Sequence, residues 1–405
     1  MAIAHTLEIL GCRLFQAAFK ICDYAVPYRL PKYIEGPGSV KKLPEFMREH
    51  SCDNALVVTD RGLMQLGLPS AMLEALDRAG IHYTSFSDLG PNPTTEEVEK
   101  GYQIYREHGC QCVIAFGGGS PMDCAKAICA KSVHPKKSVV QLQGLMRVLR
   151  PIPPIFAIPT TSGTGSETTI AAVITDSATH RKASINDPFL IPKYAVLDPE
   201  LTQGLPAPIT AATGMDALCH AIESYTNHTY NTRIENDMSK KAVKLIYDNI
   251  LTVYEDGSNL EARQNMQRAA LYAGRSFTRG CVGYVHAIGH TLGGLYGVPH
   301  GLAMAVLLPH VMRSFGPAVH KRLAELADVC GISGDSNEEK ANRLICWIEE
   351  TNRKMGIPDS FSMIQAQDME QMISWARKEA HPLYPTPAVW SREDFRKLIH
   401  SVCKE

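Results

Sequence analysis

The sequence predicts an α/β domain followed by an all-α domain, and three observations predict it. Up to about residue 205, short apolar runs bounded by turn residues alternate with helix-like segments. Beyond that point amphipathic segments follow one another with few strand signals between them. The chain of 405 residues is also well over the roughly 150 residues of one ordinary domain. With 45% hydrophobic and 20% charged residues it has the composition of a packed protein, not of a disordered one.

In the stretch from Met1 to Tyr24, Leu7, Leu10, Leu14, Ala18 and Ile21 fall at helical spacing, with Phe15 and Phe19 beside them. The stretch lacks a basic leader and a cleavage site, so it reads as a packing or oligomerisation helix rather than a signal peptide; a surface-binding amphipathic segment is the alternative. Residues 1–30 are therefore assigned to a helical extension. Four segments then read as strands: NALVVTD (54–60), CVIAF (112–116), PIFAIP (154–159) and YAVLD (194–198). Residues 67–79 and 95–108 carry helical periodicity. Fully apolar strands alternating with helices indicate a parallel sheet covered on both faces. A Pro/Gly-punctuated stretch, GLPAP (204–208), marks the boundary between a dinucleotide-binding domain over 31–205 and an all-helical domain over 206–405. In the latter, helices are predicted over 211–226, 233–254, 260–276, 318–328, 337–355 and 363–379. A cleft between two such domains is the default place for a site.

Charge and cysteine content narrow the partners. Lys plus Arg number 41 against 42 Asp plus Glu, a formal charge of −1 with a pI near 6.9. No basic field exists to hold nucleic acid. The twelve cysteines form no CxxC pair and sit in apolar stretches, as free thiols do in a reducing compartment. There is no run of about 18 apolar residues, so a membrane span is not expected and a cytoplasmic location is.

Two loops in the first half suit a phosphate. Gly117, Gly118, Gly119 and Ser120 follow an apolar strand and precede a helix that Pro121 can open. Converging backbone N–H groups and a helix N-terminus attract a diphosphate. The run is not GxGxxG, so the usual dinucleotide fingerprint is absent. PTTSGTGSE (159–167) also follows a strand; Thr160, Thr161, Ser162 and Thr164 offer hydroxyls, and Gly163 and Gly165 keep the backbone approachable. A simple strand–helix turn is the plain alternative for each. Asp60 ends a strand, where an acid can hold ribose hydroxyls; capping the next helix is nearly as good an account of it.

The second half holds five candidate metal ligands. Asp216 and His220 are four apart on one helical face, and His286 and His290 repeat that spacing. His300 follows in GVPHG, read as a loop. Three imidazoles with one carboxylate suit Fe²⁺ or Zn²⁺. Five are one too many for a site that leaves room for substrate, and spacing does not say which drops out. A histidine near but off the metal would carry a proton.

GGGSPMDCAK (117–126), PTTSGTGSE (159–167), ATGMDALCHAIESY (212–225) and GYVHAIGHTLGGLYGVPHG (283–301) resemble the iron-containing, or group III, alcohol dehydrogenases. The resemblance runs from about residue 33 to the C-terminus. It implies a dehydroquinate-synthase-like fold and hydride transfer between NAD(H), rather than NADP(H), and a small aliphatic alcohol or aldehyde. A diol or an ω-hydroxy acid is among the candidate substrates, and a homo-oligomer of two or more chains is implied. Carried across by motif, Asp216, His220, His286 and His300 would bind the metal, Fe²⁺ with Zn²⁺ possible, and His290 would be catalytic without ligating. Gly117, Gly118, Gly119, Ser120 and Asp123 would lie at the cofactor, with Thr160, Thr161, Thr164, Lys182 and Asp60. One departure is Arg279, where the family often has a small polar residue. It is read either as reaching an acidic aldehyde or as pointing to solvent. Competing readings are a zinc-dependent polyol dehydrogenase and a nucleotide- and metal-binding protein without catalysis.

Overall fold

The computed structural model describes residues 2–26, 28–179 and 181–403; Met1, Pro27, His180, Lys404 and Glu405 lie outside the described residues. The chain divides into an α/β unit, Pro27–Gly204 with Ser258–Gln267, and a helical unit, Met1–Val26 with Leu205–Gly257 and Arg268–Glu405.

The chain opens with α1 (Ala2–Tyr24) of the helical unit and then enters the α/β unit. There β1 (Lys32–Glu35), α2 (Leu43–Arg48), β2 (Asn54–Val58), α3 (Arg61–Gln65), α4 (Ser70–Ala79), β3 (His82–Phe86), α5 (Thr95–Glu107), β4 (Cys112–Gly117), α6 (Gly119–Val133) and α7 (Val139–Leu142) follow in turn. Then come β5 (Gly144–Leu145), β6 (Ile155–Pro159), β7 (Ala171–Thr175), β8 (Lys182–Asn186) and β9 (Tyr194–Leu197). Six strands form a wholly parallel sheet in the order β1-β9-β6-β4-β2-β3. Period-two alternation splits its side chains into two cores. Leu56, Val58, Val113 and Ala115 pack on one face; Ala55, Val57, Ile114 and Phe116 pack on the other. The edge strands β1 and β3 and the small sheet β5-β8-β7 were absent from the sequence reading. Only one residue of β1 and β3, Phe86, is fully buried, so their residues lack the apolar run that marks the interior strands.

The helical unit continues with α8 (Ala207–Asn227), α9 (Arg233–Glu255), the part of α10 (Leu260–Gly280) from Arg268 onward, α11 (Tyr284–Tyr296), α12 (His300–Phe315), α13 (Pro317–Val329), α14 (Asn337–Lys354), α15 (Met369–Ala380) and α16 (Arg392–Ser401). His300 opens α12 instead of lying in a loop, a correction with a simple cause: Pro299 supplies the extended residue before it. Residues 363–365 are not helical either; α15 begins only at Met369.

One face of α1 is fastened to this unit. Arg13 donates to the carbonyls of Thr386 and Pro387, and Gln16 to those of Pro382 and Tyr384. Glu8 pairs with Arg377 and His381. Near its end Asp23 is buried with Oδ2 3.0 Å from Arg279 Nη1, whose Nη2 also donates to the Val26 carbonyl. Glu235 Oε1 lies 3.6 Å from Arg279 Nε. Arg279 is only 8% exposed, so the solvent reading fails; its guanidinium balances two buried carboxylates.

Candidate metal centre

Three helices bring four predicted ligands together. Asp216 and His220 project from one face of α8, His286 comes from the first turn of α11, and His300 begins α12. Their ligand atoms all lie within 4.8 Å of one another. Asp216 Oδ1 is the centre: it is 3.3 Å from His300 Nε2 and 3.9 Å from the Nε2 atoms of both His220 and His286. Gly301 lets α12 reach this position, because a Cβ there would collide with the Ala212 carbonyl of α8.

The donor atoms are in the protonation states a metal needs. Burial pushes the imidazole of His220 down to about 3 and that of His286 well below the usual histidine range, so both are neutral with a lone pair to give. Burial alone would raise the Asp216 carboxyl, but the surrounding imidazoles of His220, His300 and His286 hold it below the ordinary range, and it is ionised. Asp216 Oδ1 and His286 Nε2 are buried without a hydrogen-bond partner, a costly arrangement that a cation at their meeting point relieves. These residues fit a divalent first-row metal.

Glu223, which the sequence reading passed over, supports the set. Its Oε2 lies 2.6 Å from His286 Nδ1 and its Oε1 accepts the Val285 N–H at 2.7 Å. The imidazole is thereby fixed with the proton on Nδ1 and the lone pair on Nε2. A Cβ at Gly283 would come within 2.8 Å of Glu223 Oε1, so the glycine makes room for this contact. Burial raises the Glu223 carboxyl to about 7. The signal was available: Asp216, His220 and Glu223 fall at i, i+4 and i+7 in an otherwise apolar helix.

His290, one turn beyond His286, stands beside the cluster and outside the converging set. Its ring stacks 5.3 Å from that of His300, and its Nδ1 is 2.8 Å from Glu379 Oε1.

In the α/β unit the two glycine-containing loops face each other. Gly117 has φ +146°, and a Cβ on it would meet Pro121 Cγ at 2.6 Å. A Cβ on Gly118 would touch Thr161, and one on Gly119 would come 3.1 Å from Thr164 Cγ2. The Thr160 N–H donates to the Gly117 carbonyl, tying the loops at their base. Gly118 caps α6, leaving first-turn N–H groups available to an anion. Other predicted cofactor residues have structural partners. The Ser120 hydroxyl donates to the Pro91 carbonyl, and Lys182 Nζ to Asn92 Oδ1. Asp60 caps α3 by accepting the Leu63 N–H. Asp123 is half-buried within the unit, where its carboxylate accepts the Ser166 hydroxyl and the Val173 N–H.

Known proteins resemble this chain in sequence and fold. Residues 31–199 match the family described as iron-containing alcohol dehydrogenase, and residues 210–403 match its C-terminal family, so the chain belongs to the iron-containing alcohol dehydrogenases. It is 36% identical over 370 residues to 1,3-propanediol dehydrogenase of Klebsiella pneumoniae, covering 90% of this chain and 94% of the relative. It is also 36% identical over 373 residues to NAD-dependent methanol dehydrogenase of Bacillus methanolicus, 91% and 97% of the two chains. A crystal structure of a 1,3-propanediol oxidoreductase superposes with a TM-score of 0.88 at 35% identity, covering 93% of this chain and 99% of that one. The chain is an iron-dependent oxidoreductase that transfers a hydride between NAD(H) and an alcohol or aldehyde, with the dehydroquinate-synthase-like fold. The zinc-dependent polyol reading is not favoured. No described helix is long and apolar enough to cross a membrane.

Proposed function

We propose that the protein interconverts a small, uncharged aliphatic aldehyde and its primary alcohol, a short diol such as the propanediol of its relatives included. The convergence of three imidazoles on Asp216 Oδ1 carries this reading. Asp216, His220, His286 and His300 would hold Fe²⁺, whose Lewis acidity polarises the carbonyl oxygen while NADH supplies the hydride. Glu223 keeps the His286 lone pair directed at the ligand position. His290 exchanges the alcohol's proton at Nε2, with its Nδ1 held by Glu379. The Gly117–Ser120 turn takes the diphosphate on backbone N–H groups, Thr160, Thr161 and Thr164 line the facing loop, and Asp60 and Lys182 approach the riboses. Asp123 acts at one remove, by positioning Ser166 of that loop. An acidic aldehyde loses its rationale, since the one cation invoked for it, Arg279, is buried in ion pairs. The enzyme works in the cytoplasm as a homo-oligomer.

The test is NADH oxidation by metal-stripped protein reloaded anaerobically with Fe²⁺ or Zn²⁺, using propanal beside succinic semialdehyde. Fe²⁺-dependent turnover with propanal preferred is expected. Preference for the semialdehyde would overturn the uncharged-substrate reading, and silence with both metals would overturn catalysis.

A further inference from the structure

The face of α1 turned away from its own unit is an unbroken apolar seam. Ile3, Leu7, Leu10, Leu14, Ala17, Ile21 and Tyr24 recur at alternating intervals of four and three residues. All seven are exposed, the six large ones by 55–79%. Seven consecutive positions at a mean spacing of 3.5 are the a/d pattern of two helices wound about each other. A helix meant only to lie on its own domain does not need a second apolar face, and the first is already occupied by Cys12, Gln16 and Asp23.

We infer that this seam docks the α1 helix of a second copy of the chain, forming a two-helix interface about a two-fold axis. Three observations favour that occupant. An isologous pairing needs one self-complementary patch, and a seam apolar along its whole length meets the requirement. In antiparallel register Ile3 would face Ile21, Leu7 would face Ala17 and Leu10 would face Leu14 of the other copy, leaving no polar group opposite an apolar one. The flank beside the seam reads Ala4, Gly11, Ala18 and Ala25, all exposed, and a Cβ at Gly11 would meet nothing within 4 Å, so a second backbone has room to approach. The size is also sufficient. At roughly 100 Å² for each of the six large apolar side chains, exposed as these are, each copy offers about 600 Å². A symmetric pair that covers both seams therefore buries about 1,200 Å², where specific interfaces begin.

A lipid surface fits less well. Interfacial helices carry lysines and arginines on a solvated face. Here Glu8, Arg13 and Asp23 are spent on bonds within the unit, and Lys20 is the one exposed charged side chain among the described residues of α1.

Sedimentation equilibrium of the full chain at micromolar concentration tests the inference, comparing wild type with Leu7→Glu/Leu14→Glu and, separately, with Ile3→Glu/Leu10→Glu. These side chains are solvent-facing within one chain, so turnover and Tm serve as folding controls. The expected result is at least a twofold drop in assembly mass in both variants, with faster amide exchange in residues 2–24. An unchanged multi-chain mass would refute the seam while leaving a homo-oligomer. A wild-type mass of one chain would refute both, and its co-sedimentation with phosphatidylglycerol vesicles would assign the seam to lipid.

Discussion

Glu223 Oε2 sits 2.6 Å from Nδ1 of His286, so this carboxylate decides which nitrogen of the imidazole turns its lone pair toward Asp216, His220 and His300. Replacing Glu223 by Gln keeps the shape but loses the charged acceptor that holds the proton on Nδ1. Metal affinity should fall about 10–100-fold. Titration of the stripped variant with Fe²⁺ under anaerobic conditions, read by elemental analysis, checks this; unchanged affinity would show the contact to be incidental.

His286 and His290 are one helical turn apart yet should fail differently. His286→Ala should lose metal and activity together, because a ligand with a buried, unpartnered nitrogen disappears. His290→Ala should keep full metal occupancy and lose about 10²-fold in kcat. Metal content measured beside turnover separates the two, and full activity in the His286 variant would sink the ligand assignment.

Gly119→Val would push a branched side chain into Thr164, 3.1 Å from where its Cβ must sit. The expected outcome is a several-fold rise in KM for NADH with metal content unchanged. A rise in KM for the aldehyde alone would contradict the diphosphate role of the turn.

Asp123 offers a pH test. Burial lifts its carboxyl from 3.8 to about 6. A folded pKa above the unfolded one means that the native state holds the extra proton. Stability from this group is therefore complete below about pH 4 and is lost as pH rises through 6. A rise from 3.8 to about 6 corresponds to about 3 kcal/mol. Asp123→Asn cannot titrate, so the wild-type Tm should fall relative to the variant's between pH 4 and 7. Parallel curves would mean that Asp123 ionises as it does in the unfolded chain.

Asp23→Ala should destabilise the helical unit by about 2–3 kcal/mol, since it removes one carboxylate from a buried guanidinium. Thermal unfolding would register a drop of several degrees. The ratio of rates on propanal and succinic semialdehyde should not move, because the guanidinium of Arg279 is engaged by Asp23 and Glu235.

What the sequence made legible was whatever repeats along one element. The interior strands, buried on both faces, show as continuous apolar runs, and the i,i+4 pairs mark candidate ligands on a helix, Asp216, His220 and His286 among them. Edge strands such as β3, with one fully buried residue, carry no such mark. His300 looked like a loop residue because Pro299 and Gly301 read as turn punctuation; in space the proline opens a helix and the glycine admits a neighbouring backbone. Arg279 could not be placed because its partner is more than 250 residues away, at the end of α1. The helix itself was visible in its periodicity, but which stripe faces inward depends on Pro382, Thr386 and Arg377, which no local pattern reveals.

The Asp23–Arg279 pair also makes a forecast about descent. An arginine at this position, without the acid at the end of α1, would bury a charge short of one of its two carboxylates, and the acid without the arginine would be stranded in the same way. Neither change is easily accepted alone, so the two should have entered the lineage together with the helix. Relatives that begin at the first strand should carry a small neutral residue where this chain has Arg279, and those that share the arginine should share the leading helix. The opening residues and the wall of α10 would then be inherited as one trait.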